Sequence, residues 1–146
     1  MMDIRSGAKY PAGALSNFAP HPFVFRECQI NSMEGFLQGL KFAHPGIQCE
    51  VFEMVGAAAK SRGRRKNYGS TLWFQGNPIC RFSDEYQVLL NDVYLAMFTQ
   101  NKKARAALLA SGSAVLKHSI GRQKQADTVL TRTEFCSRLM RIRDVV

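Results

Sequence analysis

Three side chains in the first third of the chain have types and a spacing that could do chemistry together. Glu34, Gln38 and Lys41 stand at i, i+4 and i+7, so on a helix they stack along one side. A carboxylate there can give or take a proton. An amine can attack an electrophilic carbon or steady a charge, and an amide can orient a ligand. The ordinary alternative is a solvated helix face with Glu34 capping its own N-terminus, and on spacing alone that account is the simpler one.

Other residues offer themselves as binding groups. Lys60-Ser61-Arg62-Gly63-Arg64-Arg65-Lys66 holds five cations in seven residues. It reads either as a helix end whose charges suit the helix dipole or as a clamp whose Arg forks grip phosphate. Gly63 within it would let the chain turn back. In Leu15-Ser16-Asn17-Phe18, Asn17 braces a loop or bonds a ribose or base, and Phe18 is either core or a stacking surface. Trp73, the single tryptophan, poses the same choice. His118 beside Ser119 reads as structural.

These groups depend on the elements that would carry them. Asn31 followed by Glu34 is a capping-box-like start. Met33, Phe36, Leu37 and Leu40 then give the new helix an apolar face opposite the Glu34 side, and Pro45-Gly46 ends it. A second helix is predicted from near Ile47 to Lys60, with Ile47, Val51, Met54, Val55 and Ala58 inward. The basic stretch from Ser61 to Pro78 is irregular and holds one strand at Leu72-Trp73-Phe74.

Ser83 caps the clearest helix, with Tyr86, Leu89, Leu90, Val93, Tyr94 and Met97 in one stripe. Asn101 restarts a short helix through Ala104, Ala107 and Leu108, stopped by Gly112. Thr131 with Glu134 opens a last helix that buries Phe135, Leu139 and Ile142. Phe23-Val24-Phe25 and Val115-Leu116 read as short strands. The pattern predicts an α+β fold, a single helix-rich domain over residues 1–146 with about five helices around a few short strands.

Composition narrows the function classes. The chain has 146 residues, 46% of them hydrophobic, and a chain of that size hides roughly 70% of its surface on folding. No apolar run approaches the ~18 residues of a membrane span, and the start lacks a signal-peptide core. A cytoplasmic protein without a membrane partner is expected. Cys28, Cys49, Cys80 and Cys136 form no CxxC pair and the three histidines are scattered, so buried reduced thiols and no metal are expected. GxGxxG after a strand, the P-loop signature and GxSxG are all absent, which removes the commonest dinucleotide, nucleotide and serine-hydrolase motifs; no cofactor is expected. The balance of 20 Lys+Arg against 11 Asp+Glu, a net charge of +9, favours a polyanionic partner.

Taken in order, the segments resemble the NADAR (YbiA-like) family. Leu15-Ser16-Asn17-Phe18 fits that family's LSNF-type loop. Residues Ser32 to Phe42 fit its S-x-E-x-(F/Y)-x-Q-x-x-K-F helix, and Ala59-Lys60-Ser61-Arg62-Gly63-Arg64 fits its A-K-x-x-G-R element. Met97-Phe98-Thr99-Gln100-Asn101, Leu108 to Gly112 and Leu139 to Arg143 continue the match. The chain departs from the pattern at Gly35, Gly39 and Ser83-Asp84-Glu85-Tyr86. Gly121 to Thr133 stands where relatives carry a D-x-x-W-G segment.

The resemblance implies hydrolysis of an N-glycosidic bond in ADP-ribose or a related ribosyl nucleotide. ADP-ribosylated guanine in nucleic acid and phosphoribosyl-type intermediates are among the substrate classes. It implies Glu34 and Lys41 as catalytic residues, with Asn17, Phe18, Gln38, Arg62, Arg64 and Trp73 binding substrate. The partner would be an ADP-ribose-containing small molecule or ADP-ribosylated nucleic acid. The alternatives are a non-catalytic protein binding ADP-ribose or an NAD derivative, and a basic nucleic-acid-binding protein.

Overall fold

Capping chemistry sets most of the helix starts. In the computed structural model, which describes residues 1–146, α1 (Met33–Gly39) begins where Ser32 Oγ accepts the Gly35 N–H at 3.0 Å. The cap is thus Ser32, one residue after the expected Asn31, whose side chain instead donates to the Glu53 carbonyl at 2.9 Å. Glu34 is thereby released from capping. Ser83 opens α4 (Asp84–Gln100) and Asn101 opens α5 (Lys102–Ala110). A reciprocal Thr131/Glu134 capping box opens α6 (Arg132–Arg143).

The long second helix expected from periodicity is two helices, which brings the total to six. α2 (Pro45–Phe52) stops after two turns and α3 (Gly56–Arg64) restarts at Gly56, whose φ of +57° breaks the helical path. The interruption lets both pieces pack on α1. Gly35 and Gly39 make that packing possible. A Cβ on Gly35 would stand 2.5 Å from the Met54 carbonyl oxygen, and one on Gly39 would collide with the Phe52 ring. The departures from the family pattern at these positions therefore let α2 seat directly on the helix backbone.

The strands form three pairs. β2 (Phe23–Phe25) and β3 (Cys28–Ile30) make a hairpin whose turn residues, Arg26 and Glu27, both have positive φ. β4 (Thr71–Phe74) pairs antiparallel with β5 (Asn77–Cys80). β1 (Met2–Asp3) runs parallel to β6 (Leu116–Lys117), joining the start of the chain to its last third.

One cluster of 29 buried residues forms the core, with Phe25, Phe36, Phe52 and Phe74 packed ring to ring at 5.2–6.3 Å. The core also encloses an ion pair. Arg81, 0% exposed, grips Glu134 with Nη2–Oε1 at 2.6 Å and Nη1–Oε2 at 3.1 Å. The cysteines are free, but only Cys136 is buried; Cys49 and Cys80 lie exposed and Cys28 is half-buried, contrary to the expectation of buried thiols. No helix is long and apolar enough to cross a membrane. The fold is α+β and helix-rich, as the patterning predicts.

Candidate active site

The polar side of α1 does not face solvent. Gln38 is only 7% exposed, and Glu34, Gln38 and Lys41 all line one cleft of about 570 Å³. The solvated-face account of these residues is therefore set aside. Four parts of the chain build the cleft. The loop around Ser16, Asn17 and Phe18 forms one end and α1 the floor. Lys60 and Arg64 of α3, with Tyr68, form one wall; His118, Gly121, Arg122 and residues 127–130 form the other.

Backbone and side-chain bonds tie these parts together. The Glu34 N–H donates to the Asn17 carbonyl at 2.9 Å. The Tyr94 hydroxyl, from α4, donates to Asn17 Oδ1 at 2.7 Å. Gln38 Nε2 donates to Glu34 Oε1 at 3.0 Å, and Lys41 Nζ donates to the Gly63 carbonyl at 3.2 Å. Gln38 Oε1 is buried with no donor, because it is pressed against the Gly63 backbone. Gly63 lies inside α3 rather than at a turn, so its lack of a side chain serves this contact and not a reversal of the chain.

Burial perturbs both ionisable groups on the floor. It pushes the Glu34 carboxyl above the usual range, against the Gln38 hydrogen bond and the charges of Lys60, Lys41 and His118. It holds the Lys41 amine below its ordinary value, against the attraction of Glu34. Both shifts favour the uncharged forms.

Six of the residues singled out in the sequence meet here: Asn17, Phe18, Glu34, Gln38, Lys41 and Arg64. Two do not. Arg62 points away from the cleft and lays its guanidinium 4.6 Å from the Phe42 ring centroid. Trp73 is held in β4 by its own backbone, its N–H on the Leu40 carbonyl and its carbonyl accepting from Gln48 Nε2. Lys60, part of the basic cluster read as a phosphate clamp, and His118, read as structural, also line the cleft, whereas Tyr68, Arg122 and Asp127 were not singled out. Helical geometry separates the clamp's members: Lys60 and Arg64 are four apart and share a face, whereas Arg62, two residues from each, cannot. His118 keeps the structural role expected of it, with Nδ1 on the Ile4 carbonyl at 2.7 Å and its ring edge-on to Phe135, yet it also faces the cleft.

The segment that replaces the D-x-x-W-G element is a built wall. Arg81 Nε donates to the Thr128 carbonyl at 2.8 Å and the Tyr86 hydroxyl to the Val129 carbonyl at 2.5 Å. No group of three or more His, Cys, Asp or Glu side chains is arranged to hold a metal ion.

Comparison with known proteins fits this architecture. The family model for bacteriophage protein GP30.3 matches residues 9–144. An uncharacterized 17.1 kDa protein in the Gp30-rIII intergenic region of Enterobacteria phage T4 is 42% identical over 148 residues, spanning 98% of this chain and 97% of that protein. The NMR structure of the E. coli protein YbiA superposes with a TM-score of 0.61 at 22% identity, covering 99% of this chain and 85% of that one. The fold is YbiA-like.

Proposed function

The chain belongs to the bacteriophage GP30.3 family and has a YbiA-like fold, and from that premise we propose that it is a NADAR-type N-glycoside hydrolase. Its substrate is an ADP-ribosyl or related ribosyl nucleotide. The observation that carries this reading is the meeting of Glu34, on α1, and Lys41, in the turn just past its end, both biased toward their neutral forms, in a cleft walled by cations.

Cleaving a C1′–N bond builds positive charge on the sugar and leaves a nitrogen that needs a proton. The neutral Lys41 amine supplies its lone pair to C1′ as the C1′–N bond breaks, and Glu34 gives its proton to the departing base nitrogen. The Glu34 carboxylate then takes a proton from the new Lys41–C1′ nitrogen and passes it to the ring oxygen as the C1′–O4′ bond breaks. Water, with Glu34 as the base, hydrolyses the resulting Schiff base, freeing the Lys41 amine and the sugar aldehyde, which recloses. Lys60 and Arg64 on one wall and Arg122 on the other hold the diphosphate, Asn17 the ribose, and Phe18 stacks on a ring. Gln38 holds Glu34 in place. Arg62, Arg65 and Lys66 lie exposed beyond the cleft, and with the net charge of +9 they suit a substrate carried on nucleic acid, such as ADP-ribosylated guanine.

The test is a chromatographic and mass-spectrometric assay of wild type and Lys41→Ala. The panel contains guanine-ADP-ribosylated DNA and RNA, NAD and phosphoribosylated pyrimidines. Wild type should release ADP-ribose or ribose phosphate, and Lys41→Ala should be slower by about 10³-fold or more, as for loss of a nucleophile. Binding of ADP-ribose with no release from any substrate would replace the hydrolase with a non-catalytic reader. Full activity in Lys41→Ala would overturn the amine-centred mechanism.

A further inference from the structure

Asn17 has two polar ends, and the fold assigns a different task to each. Its backbone carbonyl accepts the Glu34 N–H, and its Oδ1 accepts the Tyr94 hydroxyl at 2.7 Å. Tyr94 comes from the middle of α4 and is 0% exposed, packed against Phe135 at 6.0 Å between ring centroids. No protein acceptor other than Asn17 Oδ1 is within hydrogen-bonding reach of its hydroxyl. A buried hydroxyl donor left unpaired is costly, so this one bond dictates which way the amide faces. Nδ2 makes no hydrogen bond within the protein, and Asn17 lines the cleft beside Glu34.

We propose that Tyr94 is a positioning residue of the cleft. By occupying Asn17 Oδ1 it locks the amide with its NH₂ toward the ligand, so that Asn17 recognises an acceptor oxygen of the bound ribosyl nucleotide. An amide free to flip would offer donor and acceptor alternately and would accept a hydroxyl hydrogen as readily. Locked, it discriminates. The ligand's oxygen at this position must present a lone pair within reach of Glu34. The hydroxyl remains a phenol throughout, since burial keeps its pKa well above the ordinary value. The assignment of the ligand rests on the function proposed above; the orientation of the amide does not.

Calorimetric titration of ADP-ribose into wild type, Tyr94→Phe, Asn17→Ala and the double variant tests the coupling. Tyr94→Phe should weaken binding about 5-fold, the worth of one neutral hydrogen bond. In the Asn17→Ala background the same change should cost nothing further. Asn17→Asp keeps the acceptor that Tyr94 needs but turns the cleft-facing donor into an oxygen. It should lose more than about 10-fold in affinity at an unchanged melting temperature. An undiminished Tyr94→Phe effect in the Asn17→Ala background, or no effect at all, overturns the proposal.

If wild type fails to bind ADP-ribose, the proposed function falls, and Tyr94 is then judged without a ligand. The Asn17 side-chain amide pair in a ¹H–¹⁵N spectrum, assigned by its disappearance in Asn17→Asp, should shift and broaden in Tyr94→Phe. An unmoved pair rejects the positioning role.

Discussion

Gln38 and Gly63 touch across the α1–α3 interface as only a glycine permits: a Cβ at position 63 would lie 2.8 Å from Gln38 Cβ and overlap its amide oxygen. The contact keeps the other end of the amide, Nε2, on Glu34. Gly63→Ala should therefore do two things. Overpacking should destabilise the fold by about 1–3 kcal/mol in denaturant titration. Displacing Gln38 should also leave Glu34 unheld and slow glycoside release. An alanine accommodated at no cost in stability would refute the close contact.

Glu34 titrates against stability. Its folded pKa is raised above 4.5 by burial. The stabilising contribution is therefore complete below pH 4.5, where the group is protonated in both states, and is lost as pH rises through the folded value. Glu34→Gln removes the ionisation. The variant should melt a few degrees above wild type at pH 8, and the gap should close as the pH is lowered below 4.5. A gap that widens toward acid would contradict the burial argument. The same variant should release no glycoside, because the amide cannot pass a proton.

The buried Arg81–Glu134 pair has the opposite pH sense. Burial alone would raise the Glu134 pKa, but the bonds from Arg81, Gln87 and the Thr131 N–H outweigh it and hold the pKa below the usual range. Its contribution is present above pH 4.5 and is lost as pH falls through the folded value. Glu134→Gln should be less stable than wild type at pH 7, and the difference should shrink in acid. Arg81→Met should cost about 3–5 kcal/mol, the penalty for orphaning one member of a buried pair. It also frees the Thr128 carbonyl on the cleft wall.

Cleft cations and outward cations should separate cleanly. Arg64→Ala and Arg122→Ala each remove a wall charge and should weaken ADP-ribose binding by about 10-fold, typical of a charge-assisted phosphate contact. Arg62→Ala, whose side chain lies over Phe42, should leave that affinity unchanged. Isothermal titration of the three variants checks the ranking, and equal losses at Arg62 and Arg64 would reject the assignment of the walls.

Much of this architecture is legible in the residues because it is written in local chemistry. Ser83, Asn101 and Thr131/Glu134 announce their helices through side chains that bond the next turn. The spacing of Glu34, Gln38 and Lys41 predicts one shared face, and the three do share the cleft, although α1 ends at Gly39 and Lys41 sits in the turn beyond it. What the spacing could not reveal was whether that face is wet. Its burial depends on Gly63, on the loop at Asn17 and on residues 127–130, all distant in sequence. The split between α2 and α3 was hidden because Ile47, Val51, Met54, Val55 and Ala58 keep a helical apolar spacing across the break; in the structure Val55 and Ala58 lie exposed and Ala59 turns inward instead. The missed strands β1, β3 and β5 span only two to four residues, too short for alternation to show. Arg81 is the plainest surprise: an arginine reads as surface, and only its pairing with Glu134, 53 residues away, explains its burial.

The parallel ladder between Met2–Asp3 and Leu116–Lys117 makes one side of the cleft hang on a contact between segments far apart in sequence. Asp3 also takes the Ser119 backbone N–H at 2.9 Å, so these two strands fasten the wall that begins at His118. Glu34 is held by other bonds, to Asn17 and Gln38. Local opening of the ladder would therefore loosen that wall while leaving the floor of the cleft in place.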